Sequence, residues 1–248
     1  MPKKASTKKK APVVLKVRDE DPNENFADIH ENLPQMPSLT LIIGSVRSGK
    51  SNLLVNWFCN PEFYKDKFDV VKFVSTTLNT DNKGKILSKH FDCMDHYEDT
   101  IIADIMKSQG QYENKEDRPT FALVMDDVLT KDFKKTNDVS FFSTRFRHYI
   151  DFYVIAVQSF RAVAGMIRNN ATDVIICKQQ NTKELLKIAE EYGDMVGGQD
   201  NFMKLYDEAM KDRYSFLYLK LSENPAQAFV RFESQIWPPQ KSEELVID

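Results

Sequence analysis

The sequence predicts an α/β domain: a mostly parallel sheet flanked by helices, closing with a C-terminal strand pair. Two stretches and the chain length carry that prediction. In the first stretch an apolar run (Leu39, Leu41, Ile42, Ile43) breaks at Gly44, crosses Ser45, Val46, Arg47 and Ser48, and meets Gly49, Lys50 and Ser51 ahead of an apolar-periodic segment, an order that reads as strand, loop, helix. The second, Phe121–Asp127 (FALVMDD), is an almost wholly apolar strand ending in two carboxylates. Such strands are buried on both faces, as in parallel sheets covered by helices. At 248 residues the chain is long enough for one large domain of this kind.

The spacing Gly44-x-x-x-x-Gly49-Lys50-Ser51 is that of a phosphate-binding loop, with the strand and helix that the pattern requires on either side. Glycines let the backbone turn so that N–H groups point at an anion, and the helix N-terminus adds unpaired donors. Gly44, Ser45, Val46, Arg47, Ser48, Gly49, Lys50 and Ser51 therefore form the candidate nucleotide cradle. Lys50 reaches the β- and γ-phosphates in this pattern, and Ser51 holds Mg²⁺.

Along the chain, residues 1–12 (MPKKASTKKKAP) are a basic arm with no apolar content to bury, expected to be disordered. Nuclear import, loose nucleic-acid contact and simple solubilisation are the readings for it. Val13–Val17 alternates enough for a short strand. Asn52–Cys59 continues the helix after the loop until Asn60-Pro61 stops it. Phe68–Ser75 is a second strand, Thr76–Gly84 a polar loop, Tyr97–Ser108 a helix and Gln109–Pro119 a charged connector. Tyr149–Val157 is a further core strand, Phe160–Asn169 a helix, Asp173–Lys178 a short buried strand, and Asn181–Tyr192 and Asn201–Lys211 helices parted by Gly197-Gly198. Tyr214–Lys220 and Ala228–Phe232 form the closing strand pair. The domain is expected to span 13–237, with a loose tail over 238–248.

Ligands of open α/β sheets bind beyond the carboxyl ends of the strands, so Asp126 and Asp127 are expected beside the phosphate loop. Asp126 is the candidate Mg²⁺ partner of Ser51, and Asp127 the group that orients or deprotonates a water. Gln158, at the end of its own strand, can hydrogen-bond the γ-phosphate and that water. Arg145 and Arg147 are candidates for an arginine entering a neighbouring subunit's site, with Arg147 favoured. A basic loop over 131–137 is a candidate DNA contact.

The formal net charge is −3, and removing the five lysines of residues 1–10 leaves −8 for the remainder, so any nucleic-acid contact is local. Three scattered cysteines imply a reducing compartment. No run approaches the ~20 apolar residues of a membrane helix, and the chain is expected to be neither secreted nor membrane-spanning. His90, Cys93 and His96 sit at ligand-like spacing, but no fourth ligand is near, as structural zinc requires.

GSVRSGKS, FVSTTLNTD, VMDD and FRHYIDFYVIAVQSF, with Ile167-Arg168-Asn169-Asn170 beyond, together resemble the genome-packaging ATPases of large eukaryotic DNA viruses and virophages, on the FtsK/HerA branch of P-loop ATPases. The resemblance spans roughly residues 33–177. It implies a RecA-like P-loop NTPase core with an extra strand between the nucleotide-loop strand and the acidic strand. It also implies a homo-oligomeric ring of five or six subunits that hydrolyses ATP with Mg²⁺ to drive double-stranded DNA into a capsid, with a capsid vertex or portal protein as a further partner. The location would be a cytoplasmic virus factory, the nucleus or the virion. Many relatives have Asp-Glu where this chain has Asp126-Asp127, which leaves open whether Asp127 is the base.

Two rival readings have sequence support. Asp81–Gly84 and Asn114–Asp117 match GTPase patterns, although Asn114 does not follow an apolar strand. A nucleotide kinase would need an arginine-rich lid, for which Arg145–Arg168 is the candidate.

Overall fold

A computed structural model describes residues 26–78, 82–128 and 137–239. The basic arm, the Val13–Val17 strand, the 131–136 part of the basic loop, Asp81 and most of the C-terminal tail lie outside the described residues.

The first strand, β1 (Ser38–Ile43), is buried at every position and forms the middle of a nine-stranded sheet. It pairs in parallel with β5 (Phe152–Val157) on one side and β6 (Asp173–Cys177) on the other. Beyond β5 come β4 (Phe121–Asp126), β2 (Val70–Ser75) and the three-residue edge strand β3 (Asp92–Met94), all parallel. The expected extra strand is therefore β5, inserted between β1 and β4. Beyond β6 the sheet turns antiparallel with β7 (Phe216–Lys220), β8 (Gln227–Val230) and β9 (Ser234–Trp237). β7 and β8 are the predicted strand pair, and β9 adds a third strand to them.

Side chains of each strand alternate between two cores, as the pleat demands. Ile42, Val154 and Ala156 face a layer with α1 (Lys50–Cys59), α2 (Asn82–His90) and the segment around Phe26–Met36. Leu41, Ile43, Tyr153 and Ile155 face the other layer. That layer holds α3 (Thr100–Gln109), α4 (Asn137–Ser143), α5 (Gly165–Asn170), α6 (Thr182–Tyr192) and α7 (Gln199–Ala209). In α1, Leu53, Leu54, Trp57 and Phe58 form one buried stripe, the i, i+1, i+4, i+5 spacing of a helix face. It stops at Asn60, which is extended ahead of Pro61, because the residue before a proline is disfavoured in helical geometry and the proline has no N–H to give.

Several expectations need correction. The polar loop predicted over Thr76–Gly84 gives way at Asn82 to α2, and neither that helix nor β3 was foreseen. Gly84, read as a loop residue, is inside the helix and packed so closely that a Cβ would lie 2.0 Å from the Leu78 carbonyl oxygen. The predicted Phe160–Asn169 helix is a 3-10 turn over Phe160–Ala162 followed, after the extended Ala164, by α5. The last predicted helix begins at Gln199 rather than Asn201.

The amino ends of β4 and β5 are clamped by a buried ion pair. Arg118 Nη2 lies 3.2 Å from Asp151 Oδ1, both side chains being 5% exposed. Arg118 Nη1 donates to the His148 carbonyl at 2.6 Å, and Asp151 Oδ2 accepts from the Phe121 N–H at 2.9 Å. Burial pushes the Asp151 carboxyl above its ordinary range, against the pull of that N–H and of Arg118. Removing Arg118 strands a buried carboxylate, so Arg118→Ala is expected to lower unfolding free energy by about 3–5 kcal/mol near neutral pH. The folded-state pKa is raised, so the folded form retains its proton where the unfolded form has lost it, and the deficit shrinks as pH falls toward the Asp151 pKa. Urea denaturation of both proteins at pH 5 and pH 7.5 checks magnitude and sign.

Candidate active site

The phosphate-loop pattern is realised at the carboxyl end of β1. The Gly44 N–H donates to the Val157 carbonyl at 3.1 Å, tying the loop to the end of β5, and the Ser45 N–H donates to the Lys178 carbonyl at 3.1 Å, tying it to the end of β6. Ser45 Oγ also accepts from the Gln180 N–H at 2.9 Å. Val46 and Arg47 form the exposed crest, Arg47 with a left-handed φ of 62°. Gly49, at φ 109°, precedes the first turn of α1 in a conformation that side chains resist. Gly44 is required for space: a Cβ there would stand 2.4 Å from Ser48 Oγ and 2.7 Å from Cys177 Cβ. Burial pushes the Cys177 thiol up to about 11, against weaker opposing effects of Lys50 and Ser48, so it remains a neutral floor to the loop.

Lys50 is buried, and its Nζ donates to the Gly44 carbonyl at 2.8 Å. Asp127 Oδ1 lies 4.0 Å from the same Nζ. Asp127 leaves β4 in left-handed geometry, φ 53°, its N–H donating to the Ala156 carbonyl at 2.9 Å. Its Oδ2 accepts from Gln158 Nε2 at 2.8 Å, while its buried Oδ1 has no hydrogen-bond partner. Asp126 is buried one residue earlier, with Oδ2 accepting from Ser75 Oγ at 3.2 Å. Ser51 is half-buried, the second residue of α1.

The predicted loop, both acids and Gln158 therefore gather at one end of the sheet. Of the two acids, Asp127 is the one that faces Lys50. Arg145 and Arg147 are not brought to this end. They precede β5 at its amino end, a strand length of about 20 Å away. Arg145 stacks over the Phe141 ring at 3.6 Å, and Arg147 lines a small cavity with Pro37, Asn170 and Ser222. Ser75 and Tyr214 were not assigned roles from sequence. Ser75 was already quoted within FVSTT and pairs with Asp126 in the β2–β4 register. Tyr214 had no signal beyond its place at the start of the predicted Tyr214–Lys220 strand, which begins only at Phe216; its ring instead lies 3.8 Å from where a Gly49 Cβ would be. The chemistry available is a backbone cradle for a polyanion, a buried cation, two carboxylates and an orienting amide.

Comparison with known proteins bears on the fold. No protein-family model matches the chain. It is 25% identical over 200 residues to an uncharacterised protein, 088R, of Invertebrate iridescent virus 3, covering 79% of this chain and 72% of that protein. Among solved structures, the DNA-packaging ATPase B204 of Sulfolobus turreted icosahedral virus superposes with a TM-score of 0.55 at 17% identity, over 79% of this chain and 97% of B204. The packaging NTPase B204 of Sulfolobus turreted icosahedral virus 2, solved with AMP, gives 0.52 at 13% identity over 78% of this chain and 96% of its own. The chain has the P-loop ATPase fold. Within that fold the rival motifs are misplaced. Asn114–Asp117 lies in the connector before β4, at the sheet end opposite the phosphate loop, and Arg145–Arg168 runs through buried β5, so it is core rather than a lid.

Gly44→Ala is expected to cost about 1–3 kcal/mol of stability, because Cys177 Cβ belongs to β6 and cannot rotate away. Chemical denaturation measures that cost.

Proposed function

We propose that the protein is an ATP-hydrolysing motor that drives double-stranded viral DNA into a capsid, acting as a homo-oligomeric ring of five or six copies. The observation that carries this reading is the meeting of Lys50, Asp127 and Gln158 at the mouth of β1. Likeness to viral packaging ATPases in fold supports it.

In this reading the loop N–H groups of 44–51 hold the triphosphate, and Lys50 exchanges the Gly44 carbonyl for the β- and γ-phosphate oxygens. The donor set at the site suits Mg²⁺, which takes hard oxygen ligands: the Ser51 hydroxyl, the Asp126 carboxylate and Asp127 Oδ1, which faces Lys50 but accepts no hydrogen bond. Ser51 and Asp126 would hold the ion, and it would supply neutralisation of charge on the phosphate oxygens. Asp127, kept in orientation by Gln158, accepts the proton of the attacking water, and the Gln158 carbonyl oxygen is left to hold that water in line. Arg147, or Arg145 beside it, serves the neighbouring copy's site, since neither reaches its own. The protein acts in a cytoplasmic virus factory, the nucleus or the virion, with a capsid vertex or portal protein as partner. No described helix is long and apolar enough to cross a membrane.

Phosphate release measured with and without long duplex DNA, on protein whose assembly state is fixed by light scattering, tests the proposal. DNA-stimulated release supports it, whereas transfer of phosphate to a second nucleotide would replace the motor with a kinase. Lys50→Ala is expected to reduce hydrolysis by at least ~10²-fold, since it removes the cation aimed at the γ-phosphate. In rings mixed from wild type and Arg147→Ala, activity is expected to fall more steeply than the variant fraction; a strictly proportional decline excludes a role in trans.

A further inference from the structure

A cleft of about 1170 Å³ opens from the phosphate loop, between α1 and the β7–β8 side of the sheet. Arg47, Ser48 and Gly49 are common to the loop and the cleft. The sheet order gives this position a meaning. The strands bearing the carboxylates and Gln158, β4 and β5, lie on one side of β1, and β6, β7 and β8 lie on the other. A triphosphate laid across the mouth of β1 with its terminal phosphate at Asp127 therefore directs its other end into the cleft.

The walls fit a nucleoside. Phe63 and Phe232, with ring centroids 6.0 Å apart, give an apolar side. Asn52 and Asn56 of α1 and Arg231 contribute polar groups, and Arg231 Nε is buried without a hydrogen-bond partner. Tyr214 stands at the entrance beside Gly49.

Backbone conformation singles out Tyr214. Five described non-glycine residues have positive φ: Arg47, Asp66, Asp127, Tyr214 and Arg231. Three of them line the cleft and Asp127 marks the other end of the site. For a bulky aromatic residue the left-handed region is unfavourable, and such strain persists where function or packing demands it. Tyr214 is the third residue of a turn closed by the Ser215 N–H donating to the Asp212 carbonyl at 3.3 Å, where a positive φ is expected, and that turn leaves its ring 60% exposed toward the cleft. The Arg213 guanidinium packs over one face of the ring, 4.7 Å from its centroid, and Nη2 donates to the hydroxyl at 2.9 Å, so a base would meet the other face.

We propose that this cleft receives the nucleoside end of a bound nucleoside triphosphate and that Tyr214 stacks on its base. The inference rests on the nucleotide reading of the phosphate loop. Calorimetric titration of the full chain with the β,γ-methylene analogue of ATP and with inorganic tripolyphosphate, both with Mg²⁺, tests it. Wild type is expected to bind the analogue more tightly than tripolyphosphate. Tyr214→Ala should weaken the analogue about tenfold and leave tripolyphosphate unchanged, while Tyr214→Phe keeps wild-type binding of both. Tyr214→Gly, which frees the left-handed backbone, should lose analogue binding to the same degree with an undiminished melting temperature. Equal weakening of both ligands by Tyr214→Ala, or of neither, overturns the stacking role. Failure of wild type to bind either ligand overturns the nucleotide reading itself, and this inference with it.

Discussion

The site depends on parallel pairing of β1, β5 and β4 in register. Ile43 is opposite Val157, and Ala156 is opposite Asp126, so three strands end together. Each last residue hands the chain to a loop at the same edge, and the cradle, both carboxylates and the amide converge without further folding. A one-residue slip of β4 would turn Asp126 toward the opposite face and separate Asp127 from Lys50. Complete burial of all three strands fixes the register, because shifted pairings would drive their terminal polar residues into the two cores.

The opposite edge of the same strands has a different task. Arg118 and Asp151 neutralise each other there, and Asp173, also buried, accepts from Tyr218 Oη at 2.6 Å, Ser38 Oγ at 2.9 Å and Thr172 Oγ1 at 2.7 Å. Each of these carboxylates accepts at least two hydrogen bonds. At the carboxyl edge the pairing is loose: Lys50 and Asp127 stand at 4.0 Å, and Asp127 Oδ1 is without a hydrogen bond. A buried carboxylate oxygen left without a hydrogen bond is costly, and the one on Asp127 stands beside Lys50 and the phosphate loop, where a bound ligand would satisfy it.

The central strands, α1 and the phosphate loop were legible in sequence because their signals are local: unbroken apolar runs, a fixed glycine spacing, a proline stop. The placement of Asp126, Asp127 and Gln158 was legible because strand ends in a parallel sheet share an edge. α2 was hidden by Gly84, whose lack of a Cβ answers a tertiary approach to Leu78 rather than a turn. β9, four residues with a polar start, carries too little periodicity to read. Tyr214 was invisible for a related reason: its contact with Gly49 joins residues 165 positions apart, and no pattern along the chain encodes a left-handed tyrosine. The distance of Arg145 and Arg147 from the site in the same chain follows from their place just before β5, at the amino ends of strands whose carboxyl ends carry the site.

The rims of the sheet limit how copies of this chain can meet. β3 offers three residues, and β9 offers four beside a register irregularity at Ala228/Phe229. Edges this short and uneven make poor templates for continuing a ladder into a second molecule. A ring of the kind proposed would then rest on side chains of helices and loops, leaving each sheet whole.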